Sequence, residues 1–219
     1  DKVFAFSIQN PPLDLWWPHD PRLYVLELTL PGGDRWTERI GYRELWSDGP
    51  DFYLNGSKTH LLATSWWPPH PPRTHDEIRE TMAGIKRMNA TCFRTHTQPW
   101  RKRWYEVADE VGLLMIPEGA IWNDDSVYRV EDPVFWANYQ AHLESMVGNL
   151  FNHASVVMWS LENEMHGGRM HDGTPQEDYL ASMGEAVKTA DPTRLITYES
   201  DGDPNEIGRA SCRERVYCE

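Results

Sequence analysis

Residues 152–164 read NHASVVMWSLENE, a mostly apolar run that ends in Glu-Asn-Glu. Four consecutive apolar residues at 156–159 are typical of a strand covered on both faces, as in a parallel sheet between helices. A second run, LLMIPE at 113–118, also ends on a carboxylate. Because segments with helix signals follow these runs, the middle of the chain is predicted to alternate strand and helix.

The helix signals are capping residues, whose side chains satisfy the exposed amides of a first helical turn. Three segments carry them: a capping box at Thr74–Glu77, another at Thr174–Glu177, and Asp132 before Pro133. A fourth helix is predicted from Pro99, which opens it, to Gly112, which ends it. Apolar runs between them predict strands at 61–65, 90–95, 113–118, 155–161 and 195–200.

These elements predict a parallel β/α architecture with right-handed crossovers. A (β/α)8 barrel takes about 250 residues, so residues 47–205 are interpreted as the first part of such a barrel, through about its fifth strand. A doubly wound sheet is the alternative. No glycine-rich phosphate loop follows any strand, which argues against its nucleotide-binding version.

Residues 1–46 have a different pattern. Apolar and polar residues alternate at 2–8, 23–30 and 35–45, separated by Pro- and Gly-rich turns. This pattern predicts the last strands of a β-sandwich. Asn55-Gly56, between DFYL and SKT, predicts a two-residue hairpin.

The last stretch, EIGRASCRERV at 206–216, has no hydrophobic period. It resembles the conceptual translation of a common sequencing adapter, so residues 206–219 are interpreted as an artefact, and the protein is expected to continue past 205. Without this tail, Cys92 is the one remaining cysteine of three. The cysteines predict neither a disulfide framework nor a metal site.

The composition is that of a soluble globular protein, with 40% hydrophobic and 25% charged residues. A net charge of -13 argues against a nucleic-acid partner. No apolar run approaches the roughly 18 residues of a membrane span. Because the chain starts at Asp1 and not at Met, its localisation stays open. Its oligomeric state is also left open.

Polar side chains follow the predicted strands, where active sites of such barrels lie. They are Arg94, His96, Glu118, Asn163, Glu164, Glu199 and Asp201. Tryptophans 66, 67, 100, 122 and 159 lie in or near the same segments, and indole faces bind sugar rings. Glycoside hydrolysis needs an acid to protonate the leaving oxygen and a second carboxylate. The predicted partner is therefore a carbohydrate.

Spacing alone does not choose between Glu162 and Glu164 as the acid, because two residues apart on an extended strand share a face. Either could instead be a structural carboxylate paired with a barrel arginine such as Arg94. No histidine pair has the i, i+4 spacing of a metal site with a base between. No metal or other cofactor is predicted.

From residue 10 to about 164 the chain resembles glycoside hydrolase family 2, which includes β-galactosidases, β-glucuronidases and β-mannosidases. The matching stretches are NPPLDLWWPHDPRLYVLEL, IGYREL, FYLNG, IKRMNATCFRTHTQP, YEVADEVGLLMIPE and NHASVVMWSLENE, in that order. The resemblance implies an immunoglobulin-like sandwich followed by a (β/α)8 barrel. It also implies a retaining enzyme that cleaves terminal β-linked sugars, with a β-galactosidase-like specificity preferred.

The family motif ends in Asn-Glu, so the resemblance implies that Glu164 is the acid/base and that Asn163 binds the sugar 2-hydroxyl. Arg94 matches a bracing arginine. The family pattern puts two residues between this arginine and a histidine, whereas here only Thr95 separates Arg94 from His96. We expect the remaining substrate contacts from Arg94, His96, Glu118, Trp122 and Trp159.

The family nucleophile is a glutamate that ends the seventh strand. Residues 47–205 reach only the fifth strand, and Glu199 is the downstream alternative. The 219-residue chain is therefore expected to be inactive by itself. A non-catalytic carbohydrate-binding relative remains the alternative function. Turnover of a β-glycoside, or binding without turnover, distinguishes the two.

Overall fold

The computed structural model describes residues 12–69, 73–122, 128–165 and 175–199, without the side chains of 175–177 and 199. Six strands precede the first helix: β1 (Tyr24–Thr29), β2 (Arg35–Ile40), β3 (Leu45–Asp48), β4 (Asp51–Leu54), β5 (Ser57–Thr59) and β6 (Ala63–Trp66). Helices and strands then alternate as α1 (His75–Arg87), β7 (Cys92–Thr95), α2 (Lys102–Val111), β8 (Leu114–Pro117), α3 (Pro133–Leu150), β9 (Met158–Asn163), α4 (Pro175–Ala190) and β10 (Leu195–Glu199).

Strands β6 to β10 lie side by side in chain order and run parallel. Strands β6, β7 and β8 form one ladder and β9 and β10 another. Parallel bridges from Met115 to Val156 and from Glu118 to Ser160 join β8 to β9. A helix makes each connection between neighbouring strands, so the described part is an open arc of a (β/α) barrel. The prediction of a partial barrel is confirmed.

The strands are apolar on both faces because each face packs against a different layer. Phe93 and Met115 belong to the large core under the helices, while Cys92 and Leu114 face a second core. The β3–β4 hairpin and Trp16 pack into this second core. Burial raises the pKa of the Cys92 thiol to about 12, so this cysteine is a packing residue and not a nucleophile.

The N-terminal part forms the antiparallel hairpin β1–β2, and it is tied to the barrel by polar contacts. The indole N–H of Trp16 donates to the Asp109 carbonyl at 2.9 Å. Arg39 pairs with Glu110 of α2 at 2.5 Å. The predicted domain boundary between residues 46 and 47 falls inside β3, where Leu45 already packs in the barrel core. That boundary stays a prediction.

Most of the local signals act as expected. Thr74 and Glu77 form the capping box of α1, Asp132 caps α3, and Asn55-Gly56 is the turn between β4 and β5. The run at 35–45 is not one strand, because β2 ends at Ile40 and β3 is a separate strand of another sheet.

The predicted start of α2 was wrong. The helix begins at Lys102, three residues after Pro99, because Arg101 is still extended with ψ 141°. Residues 2–8 and Thr174 lie outside the described part, so the first predicted strand and the second capping box are not addressed. Among the described residues, every helix is too short or too polar to cross a lipid bilayer.

Gly112 ends α2 in the left-handed conformation with φ 73°, and an added Cβ would lie 2.2 Å from the Pro18 carbonyl oxygen. We expect Gly112→Ala to lower the free energy of unfolding by more than the about 1–2 kcal/mol that left-handed backbone costs an L-residue. Gly148→Ala is the control, because this exposed site in α3 has open space and alanine should stabilise it by about 0.5–1 kcal/mol. Urea unfolding measures both. Equal effects would contradict the close approach at Pro18.

Candidate active site

The centre of the site is a set of three side chains from three neighbouring strands. Arg94 lies on β7, Glu118 directly follows β8, and Asn163 ends β9. The Arg94 guanidinium forms a short ion pair with the Glu118 carboxylate and donates to the Asn163 side-chain oxygen at 2.9 Å. Because parallel strands end at the same edge, residues 69 positions apart meet here.

Glu118 is completely buried, and its charge is matched within the cluster. Besides Arg94, the Ser160 hydroxyl donates to the same carboxylate oxygen at 3.0 Å. A buried carboxylate is tolerated only with such partners. Glu118 therefore orients Arg94. Its own carboxylate is not accessible to solvent in this structure.

His96 joins the cluster although its spacing from Arg94 departs from the family pattern. Its Nδ1 atom lies 3.8 Å from the Glu118 Oε1 atom. The Trp67 ring packs edge-on against the imidazole, with the two ring centroids 4.4 Å apart. Burial and the Arg94 charge lower its pKa, while the Glu164 charge and a hydrogen bond with Asn163 oppose that shift. The neutral imidazole is thus favoured near pH 7.

Glu164 is the first residue after β9 and has a left-handed backbone with φ 57°. For a residue other than glycine this conformation costs about 1–2 kcal/mol. Its side chain is exposed, whereas the neighbours Asn163 and Met165 are buried. Its charge acts on His96. The turn thus presents one carboxyl group to solvent at the strand ends where the Arg94 cluster lies.

Glu162 has the opposite environment. It is completely buried, and one of its carboxylate oxygens accepts the backbone N–H of Met165 at 2.9 Å. A group with no exposed surface cannot meet a substrate in this arrangement. Of the two glutamates that spacing alone left open, only Glu164 is accessible.

Trp122 and Trp159, the two tryptophans predicted to contact the substrate, lie in different environments. Trp122 is bridged to Asn163, whose N–H donates to the Ile121 carbonyl at 3.1 Å, and its ring is partly exposed. Trp159 points away from the cluster and is fully buried in the core under the helices, with its N–H bonded to Asp191 at 2.9 Å. The expectation of a sugar contact does not fit this position, because adjacent strand residues face opposite sides.

The contribution of Ser160 was not predicted from the sequence, and Glu162 was left open as either the acid or a structural carboxylate. The signal for Ser160 was available, since a lone hydroxyl inside an apolar strand needs a polar partner. The backbone of Glu199 pairs with Asn163, while its side chain and Asp201 lie outside the described part. In that part, no group of three or more His, Cys, Asp or Glu side chains is arranged around a metal site.

Two family models match the chain. Residues 72–218 match the TIM barrel domain of the glycosyl hydrolases family 2, and residues 1–43 match a second model of the same family. The first match extends over 206–218, the segment interpreted above as an adapter artefact. Those residues lie outside the described part, so that interpretation stays a prediction.

Curated relatives carry related names. A β-galactosidase of Alteromonas mediterranea is 30% identical over 85% of this chain. A putative β-glucuronidase of Formosa agariphila is 28% identical over 93% of it. The chain spans 18% and 20% of the length of these two relatives.

Solved structures share the fold. The family 2 β-galacturonidase of Eisenbergiella tayi bound to galacturonate superposes with a TM-score of 0.78 at 24% identity, covering 90% of this chain and 35% of that one. The β-glucuronidase of Parabacteroides merdae gives 0.76 at 24% identity, with 90% and 25% covered. From the matched barrel model and the open β/α arc that carries the Arg94 cluster, we conclude that the chain belongs to glycoside hydrolase family 2.

Proposed function

We propose that the whole protein is a retaining β-glycosidase in which Glu164 is the general acid and base. One observation carries this proposal: Glu164 is an exposed carboxyl group, held directly after Asn163 at the strand ends where Arg94 and Glu118 meet. An acid in this place can reach a glycosidic oxygen bound over the mouth of the barrel.

The reaction has two steps. In the first, a second carboxylate forms a bond to the anomeric carbon while the bond to the leaving oxygen breaks, and that oxygen takes the proton of Glu164. In the second, Glu164 takes a proton from water, whose oxygen replaces the carboxylate at the same carbon. The nucleophile must lie about 5–5.5 Å from Glu164, and we place it on a later strand of the whole protein.

The cluster around Arg94 is proposed to form part of the sugar-binding site. Arg94 donates to the oxygen of the Asn163 amide, which leaves the amide nitrogen as the group that would donate to a sugar hydroxyl. The ring of Trp122 lies beside it and is partly exposed. We assign these two residues to substrate binding, with His96 beside them as a neutral hydrogen-bonding group.

The substrate is proposed to be a terminal β-linked sugar, with β-galactosides preferred. This choice rests on the names of the relatives, which include β-galactosidases and putative β-glucuronidases. Rates on nitrophenyl β-galactoside, β-glucuronide and β-mannoside, measured side by side, decide the sugar.

In the complete enzyme, we expect Glu164→Gln to lower kcat/KM on an alkyl β-glycoside by about 10²–10⁴-fold, the usual contribution of a general acid. A 2,4-dinitrophenyl glycoside needs no protonation, so its kcat/KM should change little. Its kcat should fall, because no base activates the water of the second step, and added azide should restore kcat and yield the β-glycosyl azide, because azide attacks the covalent intermediate without a base.

Glu144→Gln is the control, because this exposed carboxylate lies on the outer helix α3. It should match the unaltered enzyme on both substrates. Full activity of Glu164→Gln on the alkyl glycoside would contradict the assigned role. Sugar binding by calorimetry without any turnover of the complete protein would instead favour a carbohydrate-binding relative.

The buried pair between Arg94 and Glu118 should matter for stability. Glu118→Ala leaves the Arg94 guanidinium without its carboxylate, so the free energy of unfolding should fall by about 3–5 kcal/mol. Glu118→Gln should lose less, because the amide oxygen still accepts from Arg94 and Ser160. Glu80→Ala removes an exposed partner of Arg87 and should leave stability nearly unchanged. Urea unfolding of the chain compares all three, and equal losses would contradict a buried pair.

The 219-residue chain by itself is proposed to be inactive. A retaining mechanism needs two carboxylates that reach the sugar, and among the described carboxylates at the strand ends Glu118 and Glu162 are fully buried. We expect no release of nitrophenol from any aryl β-glycoside above the background of the Glu164→Gln chain. Release that depends on Glu164 would show that a nucleophile such as Glu199 lies within the chain.

A further inference from the structure

Glu162 is a buried carboxylate that the mechanism above does not use. It has no exposed surface, although it lies two residues before the proposed proton donor. Burying a carboxylate is costly unless specific partners compensate for the lost water. Its contacts therefore indicate what the side chain does.

The best-defined contact of Glu162 is with the turn that carries Glu164. One carboxylate oxygen accepts the backbone N–H of Met165 at 2.9 Å. Met165 is the residue directly after Glu164, so the hydrogen bond closes a loop around the left-handed residue. A hydrogen bond to an ionised acceptor is stronger than one between neutral groups.

The other side of Glu164 is held as well. The N–H of Asn163 donates to the Ile121 carbonyl at 3.1 Å, and its side-chain oxygen accepts from Arg94 at 2.9 Å. Met165 itself is buried. The backbone on both sides of Glu164 is therefore anchored, and its side chain alone turns outward.

Two tyrosines lie close enough to Glu162 to be affected by its charge. Its charge acts on Tyr139 and Tyr198, whose pKa values are raised chiefly by burial and further by this carboxylate. A Cβ on Gly119 would lie 2.0 Å from the Tyr139 hydroxyl, and one on Gly184 would lie 2.3 Å from the Tyr198 hydroxyl. The two tyrosine hydroxyls are thus closely confined beside these glycines, within range of the Glu162 charge.

We propose that Glu162 is a positioning residue that holds the left-handed turn through the Met165 N–H and thereby aims the Glu164 carboxyl group at the leaving oxygen. This inference rests on the proposed role of Glu164 as the acid. Without the anchor, the turn can relax toward ordinary backbone conformations, because the left-handed one is unfavourable for glutamate. The carboxyl group then moves away from the oxygen that it must protonate.

Misplacement of an acid has a specific kinetic signature. It slows substrates in proportion to their need for protonation, whereas a general loss of folded protein slows all substrates by the same factor. The ratio of kcat/KM for an alkyl glycoside to that for a 2,4-dinitrophenyl glycoside therefore reports the position of Glu164. This ratio is independent of the amount of active enzyme.

The test uses the complete enzyme with Glu162→Ala and Glu162→Gln. Glu162→Ala should lower the ratio by about 10- to 100-fold, the range that a displacement near 1 Å can cost. Glu162→Gln keeps the shape and an acceptor oxygen but loses the charge, so it should restore part of the ratio. If the alanine variant fails to fold, the isosteric glutamine variant must still lower the ratio.

Asp109→Asn is the matched control. Asp109 of α2 is also a buried carboxylate that accepts a backbone N–H, that of Ser155 at 2.8 Å, but this contact is made before β9 begins and away from the turn. It should lower the melting temperature and leave the ratio unchanged.

The outcomes separate the two proposals. A lowered ratio for both Glu162 variants, together with an unchanged ratio for Asp109→Asn, supports the positioning role. If Glu164→Gln lowers the ratio and neither Glu162 variant does, the positioning role is wrong and the proposed function stands. If the complete enzyme hydrolyses no β-glycoside, or Glu164→Gln leaves the ratio unchanged, the proposed function and the positioning role both fail.

Discussion

The contact between Arg94 and Glu118 is the interaction on which the rest of the site depends. It joins the ends of two neighbouring barrel strands and reaches a third through Asn163. Because Glu118 is fully buried, its charge is compatible with the folded state only while Arg94 and the Ser160 hydroxyl stay in place. The ion pair thus helps to set the relative positions of three strand ends, and the positions of the residues proposed to bind the sugar depend on it.

The two glutamates that flank Asn163 differ in what the protein does with their charge. Glu164 is exposed in a left-handed turn, where a proton can pass to a ligand. Glu162 is enclosed, and its oxygen is used to hold the backbone at Met165. In the proposed mechanism one carboxylate performs the chemistry and the other maintains the geometry. Strain at a single residue is sustained because contacts on both sides determine its conformation.

The match to glycoside hydrolase family 2 establishes the fold, whereas the geometry of the described residues supports the proposed chemistry. The family models and the superpositions establish the barrel, and the chain spans about a fifth of the length of its curated relatives. The relatives include enzymes named for different sugars. The identity of the sugar in the proposed function is therefore a question for kinetics.

The sequence by itself determined the order of strands and helices, the caps at Thr74 and Asp132, and the Asn-Glu motif, because these depend on neighbours along the chain. It did not determine which way a side chain points once a strand ends. Glu162 and Glu164 share a face only if the backbone stays extended, and the left-handed turn breaks that register. Trp159 likewise faces the helices. Only tertiary structure decided these cases, because burial and hydrogen bonds from distant segments select the conformation.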